Sequence, residues 1–197
     1  MSAKKTTETT NNFFPVLSKH DMNELKVEDK GLERYLNIDT QNIYHGGIYA
    51  NKIFSKSKIP IVERLINGIM RTEHYNGKKI KAYKVVRDAF EIIDKKTKSN
   101  PMQILINALV NSAPKEETTR LRFGGISVPK AVDVAPQRRL DIALRNICTG
   151  SVNASHKSKK SMEACLAEEI IKASKNDVAS FAVAKKNDIE RVAKSAR

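Results

Sequence analysis

Cysteine is scarce in this chain: Cys148 and Cys165 are the two present among 197 residues. Neither stands in a CxxC pair or beside a histidine at metal-ligand spacing, and a reducing compartment suits them. Both fall on apolar stripes of predicted helices and are read as core. The histidines (His20, His45, His74 and His156) are scattered, with no HExxH pattern, so no metal site is signalled. A GxSxG elbow and a GxGxxG loop are also missing. Gly77-Lys78-Lys79 is not a phosphate loop. Thr72 stands where its first glycine belongs, and Lys79 where Ser or Thr would hold magnesium. No apolar run approaches the ~20 residues that span a bilayer. The opening MSAKKTTETTNN has no apolar stretch of the kind a secretory signal carries. These absences set the expectation of a soluble, cytoplasmic protein that is not an enzyme and needs no metal or cofactor.

Acidic residues are the other shortage. Lys plus Arg number 36 against 22 Asp plus Glu, a formal net charge of +14. Such an imbalance speaks to partners rather than to fold, and nucleic acid is the commonest large acidic partner. Residues 1–59 hold 9 basic and 7 acidic side chains, whereas residues 60–197 hold 27 and 15. The positive charge therefore belongs to the part that folds.

Periodicity divides the chain at about residue 58. Residues 1–12, rich in Thr and Asn, read as disordered or extended. From Phe13 to Lys58 the pattern is weak: Leu32, Tyr35 and Leu36 suggest a helical turn or two. The mix of aromatics and glycines from Tyr44 to Tyr49 suggests a segment pinned to a surface. Helical order begins at Pro60, a favoured first-turn residue, with Ile61, Val62, Leu65, Ile66, Ile69 and Met70 on one stripe. After Asn76-Gly77 a longer helix is predicted from Lys78 to about Asp94. Its apolar half holds Ala82, Tyr83, Val85, Val86, Ala89, Phe90, Ile92 and Ile93, and Lys81, Lys84 and Arg87 fall opposite, with Asp88 and Glu91 among them. Lys78 and Lys79 crowd its entry turn, where the helix dipole disfavours cations by ~0.3–1 kcal/mol each. That hints at an external anion, with a solvated lysine pair as the plain alternative. Asn100-Pro101 caps a third helix that is apolar nearly all round, the pattern of a helix buried between others. Pro136 opens a fourth, with Arg138 and Arg139 in its first turn and Gly150 as its expected C-cap. A basic linker with Lys157, Lys159 and Lys160 precedes two further helices, the last ending in Lys194 and Arg197.

Between the third and fourth helices the chain changes period. Arg120, Leu121, Arg122 and Phe123 lead into Gly124-Gly125, and Ile126, Ser127 and Val128 follow. A diglycine between two β-prone runs reads as a hairpin, because glycine tolerates the positive φ of a tight reversal. Pro129 cannot donate to a ladder, so the ribbon is expected to be an edge structure projecting from the body. An isolated ribbon is marginal in water. Arg120, Arg122 and Lys130 make a phosphate backbone a natural support, and a surface hairpin with solvated arginines is the other reading. The fold class is mainly α: one bundle of about six helices, an inserted β-hairpin arm (about 116–134), and an N-terminal extension (1–57) ahead of the domain at 58–197.

From Pro60 onward the sequence also resembles a known family. The stretches PIVERLINGIM, NGKKIKAYKVVRDAFEII, NPMQILINALVNSAP, AVDVAPQRR, ALRNICTGS, SMEACLAEEIIKAS and KKNDIERVAKSAR occur in collinear order. Together they resemble the universal small-subunit ribosomal protein numbered seven in bacteria and five in eukaryotes, in its eukaryotic or archaeal form. The segments RFGGISVPK and IYANKIFSKSK are less basic than that resemblance leads one to expect. It implies a structural constituent of the small ribosomal subunit that binds the 3′ major domain of its ribosomal RNA and helps assemble the head. Its arm would lie near the exit-site transfer RNA and the messenger path. The implied RNA-binding residues are Lys78, Lys79, Lys81, Lys84, Arg120, Arg122, Lys130, Arg138, Arg139, Lys157, Lys159 and Lys160. Phe123, Gly124 and Gly125 would form the tip near tRNA and mRNA, with Lys194 and Arg197 as C-terminal contacts. Partners would be the ribosomal RNA and neighbouring proteins of the head and platform, with no membrane and no homo-oligomer. Location would be the ribosome, with nucleolar assembly in a eukaryote. A helical DNA-binding or chromatin-associated protein is the competing reading, since net charge alone fits it. Such a protein would need a recognition helix with base-reading residues on one exposed face.

Overall fold

A computed structural model of the protein describes residues 14–21, 24–39, 46–49 and 51–197. The expectations for residues 1–12 and for Tyr44 and His45 lie outside these. Among the described residues the α-helices are α1 (Lys30–Glu33), α2 (Ile61–Met70), α3 (Lys79–Thr97), α4 (Pro101–Ser112), α5 (Pro136–Ser155), α6 (Met162–Ser174) and α7 (Phe181–Ser195). Strands β1 (Glu116–Phe123) and β2 (Ile126–Asp133) form a ribbon between α4 and α5. Mainly α with a hairpin arm is therefore the architecture, and α1 is a single turn beside six longer helices.

Helix α4 buries most of its surface, which is apolar, while Gln103, Asn107 and Asn111 make a half-buried polar stripe along it. Met102, Leu105, Ile106, Ala108 and Leu109 are fully buried, and full burial of a side chain of the larger kind stabilises by ~1.5–3 kcal/mol. Asn100 caps it, its side chain accepting from the Met102 N–H at 3.0 Å. Helices α3, α5, α6 and α7 pack against it, and with the stripe of α2 they form one core that holds Phe90, Ile93, Leu140, Ile147 and Ile170.

The segment before α2 is more than an appendage. Phe14, Leu17, Leu32 and Leu36 enter the same core, and the Phe14 ring packs 4.9 Å from Tyr83 and 5.8 Å from Phe90, centroid to centroid. Hydrogen bonds to main-chain groups tie Lys26 and Asn37 to the body. The Gln103 side chain donates to the Lys26 carbonyl and accepts from its N–H, both at 2.9 Å. Asn37 accepts the Ile61 N–H through its carbonyl and donates from its side chain to the Lys58 carbonyl at 2.6 Å. This segment lacks a helical stripe because main-chain groups and a few isolated side chains hold it.

Gly150 corrects an expectation. It does not cap α5, which continues to Ser155; it is buried inside the helix. A Cβ there would lie 2.8 Å from the Phe181 Cβ and 3.1 Å from Glu169 Oε1. The glycine permits close approach of α5 to α6 and α7, around the buried Glu169 carboxylate, which accepts from the Ser180 hydroxyl and the Ala182 N–H. Gly150→Ala is expected to cost about 1–3 kcal/mol by overpacking. Thermal denaturation should show a Tm lower by several degrees; an unchanged Tm would show that the contact yields.

Candidate nucleic-acid interface

Helices α2 and α5 pack so that a stripe of each faces an open groove of about 810 Å³. On α2 the stripe is Arg64 and Gly68, continued by Arg71 at the C-cap, at i, i+4 and i+7. On α5 it is Asp141, Arg145, Thr149, Val152 and then His156 just past the helix end. These spacings put each set on one helix face. Gly68 brings the helices together, since a Cβ on it would meet Cys148 Sγ at 2.8 Å. Burial pushes the Cys148 thiol up to about 12, so the groove floor carries no reactive thiolate.

The lining sets Lys56, Arg64, Arg71 and Arg145 against Asp141 and Glu73, and Asp141 orders it. Arg64 is buried and its Nη2 meets Asp141 Oδ1 at 2.7 Å, while Lys56 pairs with the other oxygen of Asp141. Arg71 and Arg145 are exposed and have no ion-pair partner among the described residues. The rings of His74 and His156 lie 6.0 Å apart. They join the α2–α3 turn, which carries Lys78, to the linker with Lys157 and Lys159. At the other end, Arg138 continues the α5 stripe one turn before Asp141. Arg138 to His156 is 18 residues, about 27 Å at the helical rise. One cationic track thus runs from the base of the arm to the linker.

The arm has two unlike faces. Directly opposed residues of an antiparallel pair share a face, and the register pairs Arg120 with Pro129 and Arg122 with Ser127. Leu121 pairs with Val128 and Thr119 with Lys130, so Lys130 lies on the more apolar face, away from the two arginines. Gly124 and Gly125, with φ of +53° and +87°, make a two-residue reversal that L side chains resist. The tip projects into solvent, while the base is braced. The Ala131 N–H donates to the Ala196 carbonyl at 3.3 Å, the Lys115 N–H to Glu190 at 3.0 Å, and Arg197 pairs with Glu116. The ribbon is thus less isolated than its sequence suggests, because the C-terminal helix supplies a wall.

The candidate cations separate into two groups. Lys78, Lys81, Lys84, Arg120, Arg122, Lys130, Lys157, Lys159 and Lys194 are exposed and have no ion pair among the described residues. Others are engaged within the protein. Lys79 reaches the buried Glu63 at 2.7 Å. Lys160 meets Glu168 at 2.8 Å, which holds the Glu168 carboxyl below its usual range. Arg138 forks onto Glu117, at 2.7 and 3.0 Å, yet stays largely exposed.

Arg139 is turned inward. It is 8% exposed, with Nη2 2.9 Å from Asp29 Oδ2 and Nε donating to the Pro114 carbonyl at 3.1 Å. Adjacent residues on a helix point about 100° apart, which lets Arg139 turn inward while Arg138 stays outside. Pattern reading missed Lys56, Arg64, Arg71, His74, Arg145 and His156. Spacing on α2 and α5 could have flagged the arginines, but only packing shows that the two stripes face each other.

Fold and surface together define a basic helical domain with a cation-lined groove leading to a β-ribbon arm. The chain belongs to the ribosomal protein S7p/S5e family, whose model matches residues 33–197. It is similar to small ribosomal subunit protein uS7 of Thermoplasma volcanium, 55% identical over 183 residues, which are 92% of this chain and all of that one. The uS7 proteins of Picrophilus torridus and Archaeoglobus fulgidus are each 54% identical over 183 residues. The match covers 98% and 94% of their lengths and 92% of this chain. These relatives are archaeal, in keeping with the branch that the sequence motifs resemble.

Burial pushes the Asp29 carboxyl up, but hydrogen bonds from Arg139 and the Gly31 N–H outweigh it and hold the group below its ordinary 3.8. A depressed carboxylate contributes stability that is present above the unfolded value and is lost as pH falls through the folded one. Arg139→Ala is expected to cost ~2–4 kcal/mol, less than a fully buried pair because Asp29 is partly exposed. Arg138→Ala should change stability by no more than ~1 kcal/mol. Urea unfolding at pH 7 checks both. The Arg139→Ala deficit should shrink below pH 4; equal effects of the two variants would refute the inward role.

Proposed function

We propose that the protein is a structural constituent of the small ribosomal subunit, binding the 3′ major domain of its ribosomal RNA and helping to assemble the head. The arm is then carried toward the exit-site tRNA and the mRNA path, with Phe123, Gly124 and Gly125 at the tip. Neighbouring proteins of the head and platform share the surface. The role asks for no catalysis.

The single observation that carries this reading is the cationic track from the arm base through the α2–α5 groove to the linker. Phosphates taken up along it displace condensed counterions, so affinity falls with salt. Base sequence need not be read along the track, since folded RNA is recognised largely by shape, phosphates and exposed loops. The helices hold the cations in register before RNA arrives, which lowers the ordering cost of binding. Exposed cations on α3 (Lys81 and Lys84) and on the arm (Arg120, Arg122 and Lys130) would extend the contact beyond the groove.

A transcript of the 3′ major domain should bind the full chain with a steep slope of log K against log[salt]. The double variant Arg71→Ala/Arg145→Ala is expected to lessen that slope by roughly 2 while leaving the Tm within a degree or two. A slope unchanged by the double variant would remove the groove from the interface. Competition by duplex DNA of equal length, as strong as by the transcript, would favour the DNA-binding alternative.

A further inference from the structure

The chain just before α2 carries a feature that cations do not explain. Ile48, Ile53 and Phe54 are 75%, 88% and 67% exposed, whereas Phe14 and Phe90 are buried in the core. The loop presenting them is pinned. Ser55 is buried, and its single hydroxyl proton is shared between the carbonyls of Tyr49 and Lys52, both within hydrogen-bond reach. Ser57 donates to the Phe54 carbonyl through its N–H at 3.2 Å and through its hydroxyl at 2.8 Å. Phe54 itself adopts a left-handed backbone, φ +59° and ψ 0°, which costs a bulky L residue on the order of 1 kcal/mol or more. An apolar ring is thus held in solvent, in a strained conformation, by hydrogen bonds on either side.

The surroundings indicate the kind of occupant. Residues 46–59 contain no Asp or Glu, and Lys52, Lys56 and Lys58, each within four positions of Phe54 in the chain, are exposed. Lys56 also lines the α2–α5 groove, so Phe54 stands two residues from the groove wall. Apolar patches that dock proteins are depleted in lysine. An aromatic ring among lysines beside a phosphate-binding groove fits nucleic acid, where bases stack on aromatic faces while cations follow the backbone. We propose that Phe54 is a stacking platform for an unpaired base of the RNA whose phosphates occupy the groove, with Ile53 flanking the same base. This rests on the RNA reading given above and adds a contact to a base where the groove touches backbone.

The chain has no tryptophan, so Phe54→Trp places a single reporter at the site. Titrating this variant with the 3′ major domain transcript should quench its fluorescence strongly and shield it from acrylamide. Phe54→Ala should weaken binding roughly 5- to 150-fold, as loss of one stacked base does, with the salt slope unchanged. Phe54→Leu should not restore the loss, since a leucine offers volume without a π-face. Wild-type affinity in either Phe54→Ala or Phe54→Leu, or an unquenched tryptophan in the bound complex, would overturn the stacking role while leaving the groove reading intact. Failure of the wild-type chain to bind the transcript would instead remove both. Should Phe54→Ala lower the Tm, the tryptophan titration decides alone.

Discussion

The Arg139 guanidinium is the node on which the placement of the arm depends. It joins three stretches far apart in sequence: Asp29 at the N-cap of α1, the Pro114 carbonyl at the entry to the ribbon, and the first turn of α5. A guanidinium taken from water at such a point is tolerated only because carboxylate and carbonyl meet its donors. The same contacts orient the ribbon where it leaves the body. Arg138, one residue earlier, forks onto Glu117 of β1 from outside, and the chain end closes the far side through Arg197 and Glu116. The arm is therefore clamped at its base and open at its tip.

This anchoring gives meaning to the cations that remain outside. Like charges arrayed on a rigid body repel one another, and some of the repulsion is answered within the chain by Asp141, Glu63 and Glu168. The remainder faces solvent along α3, the groove, the linker and the arginine face of the arm. A folded polyanion laid along this surface would remove the repulsion and would meet a backbone already ordered. Groove and arm act as one surface only because α5 begins at the arm and ends at the linker.

Much of the bundle was legible in the residues. The helical stripes, Asn100-Pro101, Pro136 and the diglycine of the ribbon are local signals, and each did locally what its chemistry dictates. The errors had long-range causes. Gly150 looked like a cap because glycine usually marks an end, yet here it is the gap into which Phe181 and Glu169 fit. The stretch before α2 showed only a weak pattern, the turn around Leu32 that became α1, because Gln103, Asn37 and the Phe14 ring make its other contacts with no period. The two arginines opening α5 are alike in the sequence, yet packing turns Arg139 onto Asp29 and the Pro114 carbonyl and leaves Arg138 outside.

What the sequence determined by itself was therefore the inventory: which segments become helices, where the ribbon turns, and that the folded part carries excess positive charge. Those follow from backbone preference and spacing, which act over a few residues. Tertiary structure alone decided which cations are spent on buried carboxylates and which stay outside. It also decided that the stripes of α2 and α5 face each other, and that Phe54 stands in water. Such outcomes depend on residues some 75 to 110 positions apart meeting in space, as Arg64 meets Asp141 and Arg139 meets Asp29, and no local pattern records a meeting of that kind.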